Sequence, residues 1–301
     1  MRKKTLLQII AILLLINIVT LFLWKKDSSS SVTFTNMDGK EVQKTEEVAT
    51  IGSHPITYED WINRLQETHG KEVLEEMVNQ ELVNQAAEER DISIEEKIIQ
   101  RDIALLATMQ HGRTEEEVSF EKEQWRDQIV YRYTLEALLT EDLSVDEEKV
   151  ESYYDTYKKQ YDFSESIQIS HIIVQSMEEA EQVKKELDEG APFELLAQEY
   201  SLDTDTKNNG GYLGHISAKS QFMPEGYFEK AVDMDNFSYS EPFQTGQGVA
   251  ILYLHEHYPS YTFTYDELKP YIERELLLKD SDEQLGAKNL WETYDVEWMY
   301  E

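Results

Sequence analysis

Within ESIQISHIIVQSM, residues 165–177, a single imidazole stands among isoleucines. Ile167, Ile169, His171 and Ile173 alternate with Gln168, Ser170, Ile172 and Val174, the period of a β-strand. A histidine on such a face is either a neutral core side chain bonded to a neighbour or a group that works on a substrate. Asp203 lies in a loop rich in Ser, Asp, Thr and Asn that Gly210 and Gly211 close, where an aspartate commonly caps a turn. The chain has no metal-ligand spacing, phosphate-binding glycine loop or Ser-His-Asp arrangement that would support a hydrolase. With 61 Asp and Glu, no carboxylate pair is informative by itself.

The elements that must position these residues follow an unusual start. Thr5 to Trp24 contains no charged residue. Twenty residues at about 1.5 Å each reach about 30 Å, the thickness of bilayer hydrocarbon. Trp24-Lys25-Lys26 then reads as an interfacial anchor. We therefore expect residues 1–26 to be an uncleaved signal-anchor and 27–46, serine-rich and then charged, a tether. Arg2, Lys3, Lys4 and the terminal amine weakly favour a cytoplasmic N-terminus, with the bulk of the chain outside. The chain lacks cysteine, so no lipid-modified cysteine holds it. A formal net charge of −33 sets it against nucleic acid and anionic surfaces as partners.

Residues 47–57 read as a short strand and turn, and 58–161 as almost entirely helical. One helix carries an apolar stripe of Val73, Leu74, Met77, Val78, Leu82, Val83, Ala86 and Ala87. Thr57 with Asp60, Ser93 with Glu96, Ser144 with Glu147 and Thr264 with Glu267 have the spacing of helix-opening capping boxes. From 166 the texture changes to a strand, two helices (MEEAEQVKKELDEG and PFELLAQEY), a short strand, another helix and a closing hairpin. Helical pattern returns over 264–286, where Pro270 would loosen the first turns. The expected fold is α+β. A helical domain (47–165), completed by a C-terminal segment (257–301), is interrupted by a compact module (166–256).

SHIIV (170–174), GAPFELLAQEYSLD (190–203), NNGGYLGHI (208–216), FEKAV (228–232) and SEPFQTGQGVAILYL (240–254) occur in an order that resembles the parvulin family of peptidyl-prolyl isomerases. The likeness covers about 90 residues, roughly 166–256, and five strings in register make it specific. The flanking helices, opened by VATIGSHPITYEDW, resemble the chaperone domain of PrsA-like and SurA-like extracytoplasmic foldases. The resemblance implies a four-stranded antiparallel sheet with surrounding helices, and catalysis of rotation about Xaa–Pro bonds in unfolded or partly folded exported polypeptides. The peptide barrier of about 18–20 kcal/mol falls when the proline is held in an apolar pocket and the twisted amide is favoured, without nucleophile, metal or cofactor.

By the same resemblance Leu213, Met223 and Phe228 form the proline pocket, with Phe222 competing for the methionine's role; all four could equally be core. Asp203 falls where the family carries an aspartate or cysteine beside the substrate amide. His171 matches the first of two hydrogen-bonded histidines on the floor of the site, and Ala250 stands where the second belongs. His171 is then expected to find a backbone group, a hydroxyl such as Ser170, or a water. His215 lies in a different strand, and His255 and His257, beyond the closing strand, are expected to be exposed. Losing one orienting bond costs one or two orders of magnitude in rate, about 1.4–2.7 kcal/mol. The alternative is a chaperone, weakly active or inactive, whose helical domain cradles unfolded secreted chains and whose parvulin part clamps peptides.

Overall fold

The computed structural model describes residues 33–35, 41–110, 114–279 and 286–300. The expected anchor, 1–26, and much of the tether lie outside the described residues. No helix among those described is long and apolar enough to cross a membrane. The chain divides into two compact units, residues 1–78 with 298–301, and residues 79–297.

The first unit holds two antiparallel pairs, β1 (Thr33–Thr35) with β2 (Glu41–Gln43) and β3 (Glu47–Ile51) with β4 (His54–Thr57). It also holds the start of helix α1 (Tyr58–Glu89). Thr57 and Asp60 open α1 as the spacing predicts: the Asp60 N–H donates to Thr57 Oγ1 and the Thr57 N–H to Asp60 Oδ2, each at 3.2 Å. Val73 and Met77 of the apolar stripe are exposed, whereas Leu82, Val83 and Ala86, in the second unit, are buried.

In the second unit, helices α2 (Glu96–Ala107), α3 (Glu115–Thr140) and α4 (Glu147–Tyr157) precede the sheet. Two expected caps are not formed. Glu96 is held by Arg126 through two bonds of 2.7 and 2.6 Å, so α2 starts after Glu95 with no side-chain cap. Glu147 is taken by Lys269 and Tyr265, and Asp146 caps α4 by accepting from the Glu148 N–H at 3.1 Å. In both cases a partner from a distant helix outcompetes the local bond, since charge-assisted pairs are the stronger ones. Thr264 and Glu267 do form their box, and helix α8 spans Tyr265–Lys279 with Pro270 inside it. Leu268, Tyr271, Ile272 and Leu276 of α8 bury against Ile98, Ile99, Ile103, Ile129, Tyr133 and Val150.

The sheet has five antiparallel strands where four were expected. They are β5 (Ser166–Val174), β6 (Tyr212–Ser217), β7 (Ser238–Tyr239), β8 (Phe243–Thr245) and β9 (Gly248–Tyr258). The order is β6-β5-β9-β7, with β8 also on β9. The extra strand follows from the length of β9. Its eleven residues seat β8 along 248–250 and β7 along 253–254. Helices α5 (Met177–Asp188) and α6 (Phe193–Tyr200) supply Val183, Leu187, Phe193 and Leu196, which pack with Ile172, Val174, Val249 and Ile251. A second cluster joins Ile167, Ile169, Ala250, Leu252 and Leu254 to Tyr227 and Ala231 of the short helix α7 (Tyr227–Ala231). Both faces of β5 are thus buried along its whole length.

Candidate functional site

His171 lies at the middle of β5, 3% exposed. Its Nδ1 is 2.9 Å from the Tyr227 hydroxyl, and its Nε2 is 2.8 Å from Asp203 Oδ2 and 3.1 Å from Thr206 Oγ1. Thr206 Oγ1 also donates to Asp203 Oδ2 at 2.6 Å. The other carboxylate oxygen, Oδ1, accepts the Asp205 N–H at 3.1 Å. Asp203 therefore caps its own turn with one oxygen, as a loop aspartate commonly does, and holds the imidazole with the other.

The electrostatics follow from burial and bonding. Burial pushes the His171 imidazole below its ordinary value, against the pull of Asp203. Partial burial works against ionising Asp203, but the bonds from Thr206 and His171 outweigh it and hold its carboxyl below the usual range. Near neutral pH the pair is a charged aspartate beside a neutral imidazole.

His171 does find hydroxyls, as expected, but they are those of Tyr227 and Thr206 and not that of Ser170. Ser170 does not reach it, because successive strand residues point to opposite faces. Its hydroxyl instead meets His255 Nε2 at 2.8 Å. His255, expected to be exposed, is only 7% exposed, because β9 continues to Tyr258 and keeps pairing with β5 at Gln168, Ile167 and Ser166. Ser170 and His255 line a polar cleft of about 300 Å³ with Glu194, Gln198 and Asn209. No group among the described residues bonds His255 Nδ1, so the pair is not a triad. His257, half-buried, is 2.9 Å from Glu165 Oε1.

Leu213, Met223 and Phe228 converge, half-buried, on the cluster that contains Tyr227, together with Ile216, Met234 and Phe243. Phe222 does not join them: it is 80% exposed, while the next residue packs inward. Ala250 is wholly buried in the same cluster, paired across the strands with Ile173. Tyr227 and Thr206 escaped the sequence analysis. Thr206, three residues beyond Asp203, has turn-forming spacing that could have suggested it. Tyr227, 56 residues from His171, carries no spacing signal; the only hint is that a buried phenol needs a partner.

Burial of His255 and His215 lowers each to about 4, against 6.5 for an exposed imidazole. The unfolded chain takes up these protons near pH 6.5 and the folded chain only near 4. Their stabilisation is therefore complete above pH 6.5 and is lost as pH falls towards 4. For His255 this amounts to about 3 kcal/mol by pH 4. Carboxylates such as Glu96, held at about 2 by Arg126, lose theirs only below the ordinary 4.5. Urea unfolding at pH 7.5 and 4.5 is expected to show a lower free energy at 4.5, with the difference clearly smaller in His255→Gln. An equal pH dependence in both proteins would contradict this.

The chain as a whole is similar to known proteins. Residues 145–270 match the family model described as the PPIC-type PPIASE domain. YacD of Bacillus subtilis (strain 168), a protein named as a candidate peptidyl-prolyl cis-trans isomerase, is 35% identical over 269 residues, covering 89% of this chain and 90% of that protein. The foldase protein PrsA of Oceanobacillus iheyensis is 28% identical over 238 residues, covering 78% of this chain and 77% of its own. A crystal structure of the peptidylprolyl isomerase PrsA from Bacillus cereus aligns with a TM-score of 0.32 at 20% identity, over 85% of this chain and 95% of that one.

Proposed function

Because the chain belongs to the family of PPIC-type peptidyl-prolyl cis-trans isomerases, we propose that it catalyses Xaa–Pro isomerisation in exported polypeptides at the site formed by Leu213, Met223, Phe228, His171 and Asp203. The observation that carries this reading is the convergence of the three apolar side chains on one cluster, whose member Tyr227 bonds His171, which in turn bonds Asp203. An amide keeps its barrier through a charge-separated resonance form. An apolar seat for the proline ring disfavours that form. A carboxylate beside the substrate carbonyl disfavours the negative charge on its oxygen. Both effects stabilise the twisted amide relative to the planar one, which is what catalysis requires. Neutral His171 holds Asp203 in place without cancelling its charge.

Residues 47–165 would act as a helical chaperone-like part completed by 257–301, with 166–256 as the catalytic module. The membrane anchor rests on the charge-free run Thr5–Trp24 between basic flanks. It would leave the bulk of the chain on the extracytoplasmic side. Mature protein from cells that lacks residues 1–26 would defeat it.

The deciding assay is protease-free isomerisation of short Xaa–Pro peptides by the full-length chain, beside Asp203→Ala. Turnover above the uncatalysed rate is expected, with a drop of about tenfold in Asp203→Ala, about 1.4 kcal/mol. No turnover by the wild-type chain, with client aggregation still suppressed, would establish the second reading. Ala250, standing where the resemblance implies a second histidine, motivates that reading, while Tyr227 and Asp203 bond both His171 nitrogens without it. The protein would then be a chaperone on a parvulin scaffold.

A further inference from the structure

We propose that Tyr227 is the positioning residue for His171: its hydroxyl donates to Nδ1 and so fixes the imidazole with its proton on Nε2, directed at Asp203. This rests on the reading of His171 and Asp203 as parts of the working site.

The bonding leaves one consistent assignment. An ionised carboxylate only accepts hydrogen bonds. Asp203 Oδ2 accepts from the Thr206 hydroxyl at 2.6 Å, and its 2.8 Å contact to His171 then requires a proton on Nε2. In a neutral imidazole the other nitrogen is then a bare lone pair. That lone pair, in a side chain 3% exposed, meets the Tyr227 hydroxyl at 2.9 Å. The phenol is suited to donate: burial, aided by the Asp203 charge, raises its ionisation well above the physiological range. A buried acceptor left without a donor would cost the desolvation of that group, so the Tyr227 bond supports the tautomer that Asp203 requires.

The packing makes Tyr227 a fixed donor. It is 1% exposed, and its ring stands edge-on to Phe243 with centroids 5.6 Å apart. Its ring also meets the His171 ring edge-on at 5.8 Å. A half-turn of the imidazole would place carbon atoms against both Tyr227 and Asp203, so the two bonds together hold the ring in one orientation. Tyr227 starts α7, which carries Phe228, so the helix that supplies a wall of the apolar pocket also aims the imidazole.

The test is Tyr227→Phe in the full-length chain, which removes one oxygen and leaves the ring packing. With an unchanged circular dichroism spectrum, kcat is expected to fall about tenfold while KM stays within about twofold. Nitrogen-15 shifts of His171 should report a protonated Nε2 and an unprotonated, hydrogen-bonded Nδ1 in the wild type, and in Tyr227→Phe the same tautomer with the Nδ1 resonance moved from its hydrogen-bonded position. In a His171→Ala background Tyr227→Phe should add no further loss, because the residue acts through the imidazole. Wild-type kcat with unchanged nitrogen shifts, or a loss that multiplies in the double variant, would overturn the proposal. The nitrogen shifts need no turnover. If the wild-type chain proved inactive, the isomerase reading would fall while the shifts still decided the Tyr227 contact.

Discussion

Leu213→Ala combined with Met223→Ala is expected to lower kcat/KM on Xaa–Pro peptides about a hundredfold, about 2.7 kcal/mol. The estimate follows from what the two side chains supply. In the proposed pocket each would offer several carbon atoms to a proline ring, and burying such groups is worth about 1.5–3 kcal/mol per side chain. Part of that is recovered by water or by repacking, so two truncations cost less than their sum. Both residues are half-buried against the cluster of Tyr227 and Leu252. The double variant will therefore lose some stability, and rates must be read at a temperature where circular dichroism shows it folded. Phe222→Ala is the control. A side chain 80% exposed and outside that cluster should change kcat/KM by less than about twofold. Comparable efficiency in the double variant and the wild type would remove the pocket assignment, and a large loss in Phe222→Ala would move the pocket towards that residue.

The largest expected effect on stability comes from Gly211→Ala. Gly211 has φ +74°, a region where a side chain clashes with its own backbone. An added Cβ would lie 2.0 Å from the His171 carbonyl oxygen and 3.0 Å from its carbonyl carbon. The same glycine accepts the His171 N–H at 2.8 Å, so the loop cannot retreat without breaking the bond that seats the histidine's backbone. Left-handed strain and a backbone collision together should cost about 4 kcal/mol or more, a large share of ordinary domain stability. Gly246→Ala, with nothing within 4 Å of its added carbon, should cost under about 1 kcal/mol. Urea unfolding of the three proteins checks this. A loss below 1 kcal/mol in Gly211→Ala would mean that the 201–211 loop shifts freely and that its close approach to His171 is not needed for folding.

The division between what sequence determined and what tertiary structure decided runs along the distance between partners. The strings 170–174, 190–203, 208–216, 228–232 and 240–254 were enough to identify the module, because strand periods, turns and short helices are encoded within a few residues. The boxes at Thr57 with Asp60 and Thr264 with Glu267 were legible for the same reason, since both partners share one helical turn. Ser93 with Glu96 and Ser144 with Glu147 have the same spacing, yet Arg126 and Lys269 claim the glutamates from other helices. No local pattern records which distant cation will arrive.

The site divides likewise. His171 and Asp203 could be picked out from motifs, but what they bond to could not. The third strand residue on one face, His171, was visible as an oddity among isoleucines. That Tyr227 rather than Ser170 would bond it depended on α7 packing across the second cluster. That His255 would be buried depended on β9 running on beside β5 for all of its nine residues. Backbone preference and motif order are properties of neighbouring residues and survive in a bare sequence. Hydrogen-bond partners, burial and the resulting protonation states belong to the packed chain, because they are settled only when elements far apart in sequence close over the same polar group.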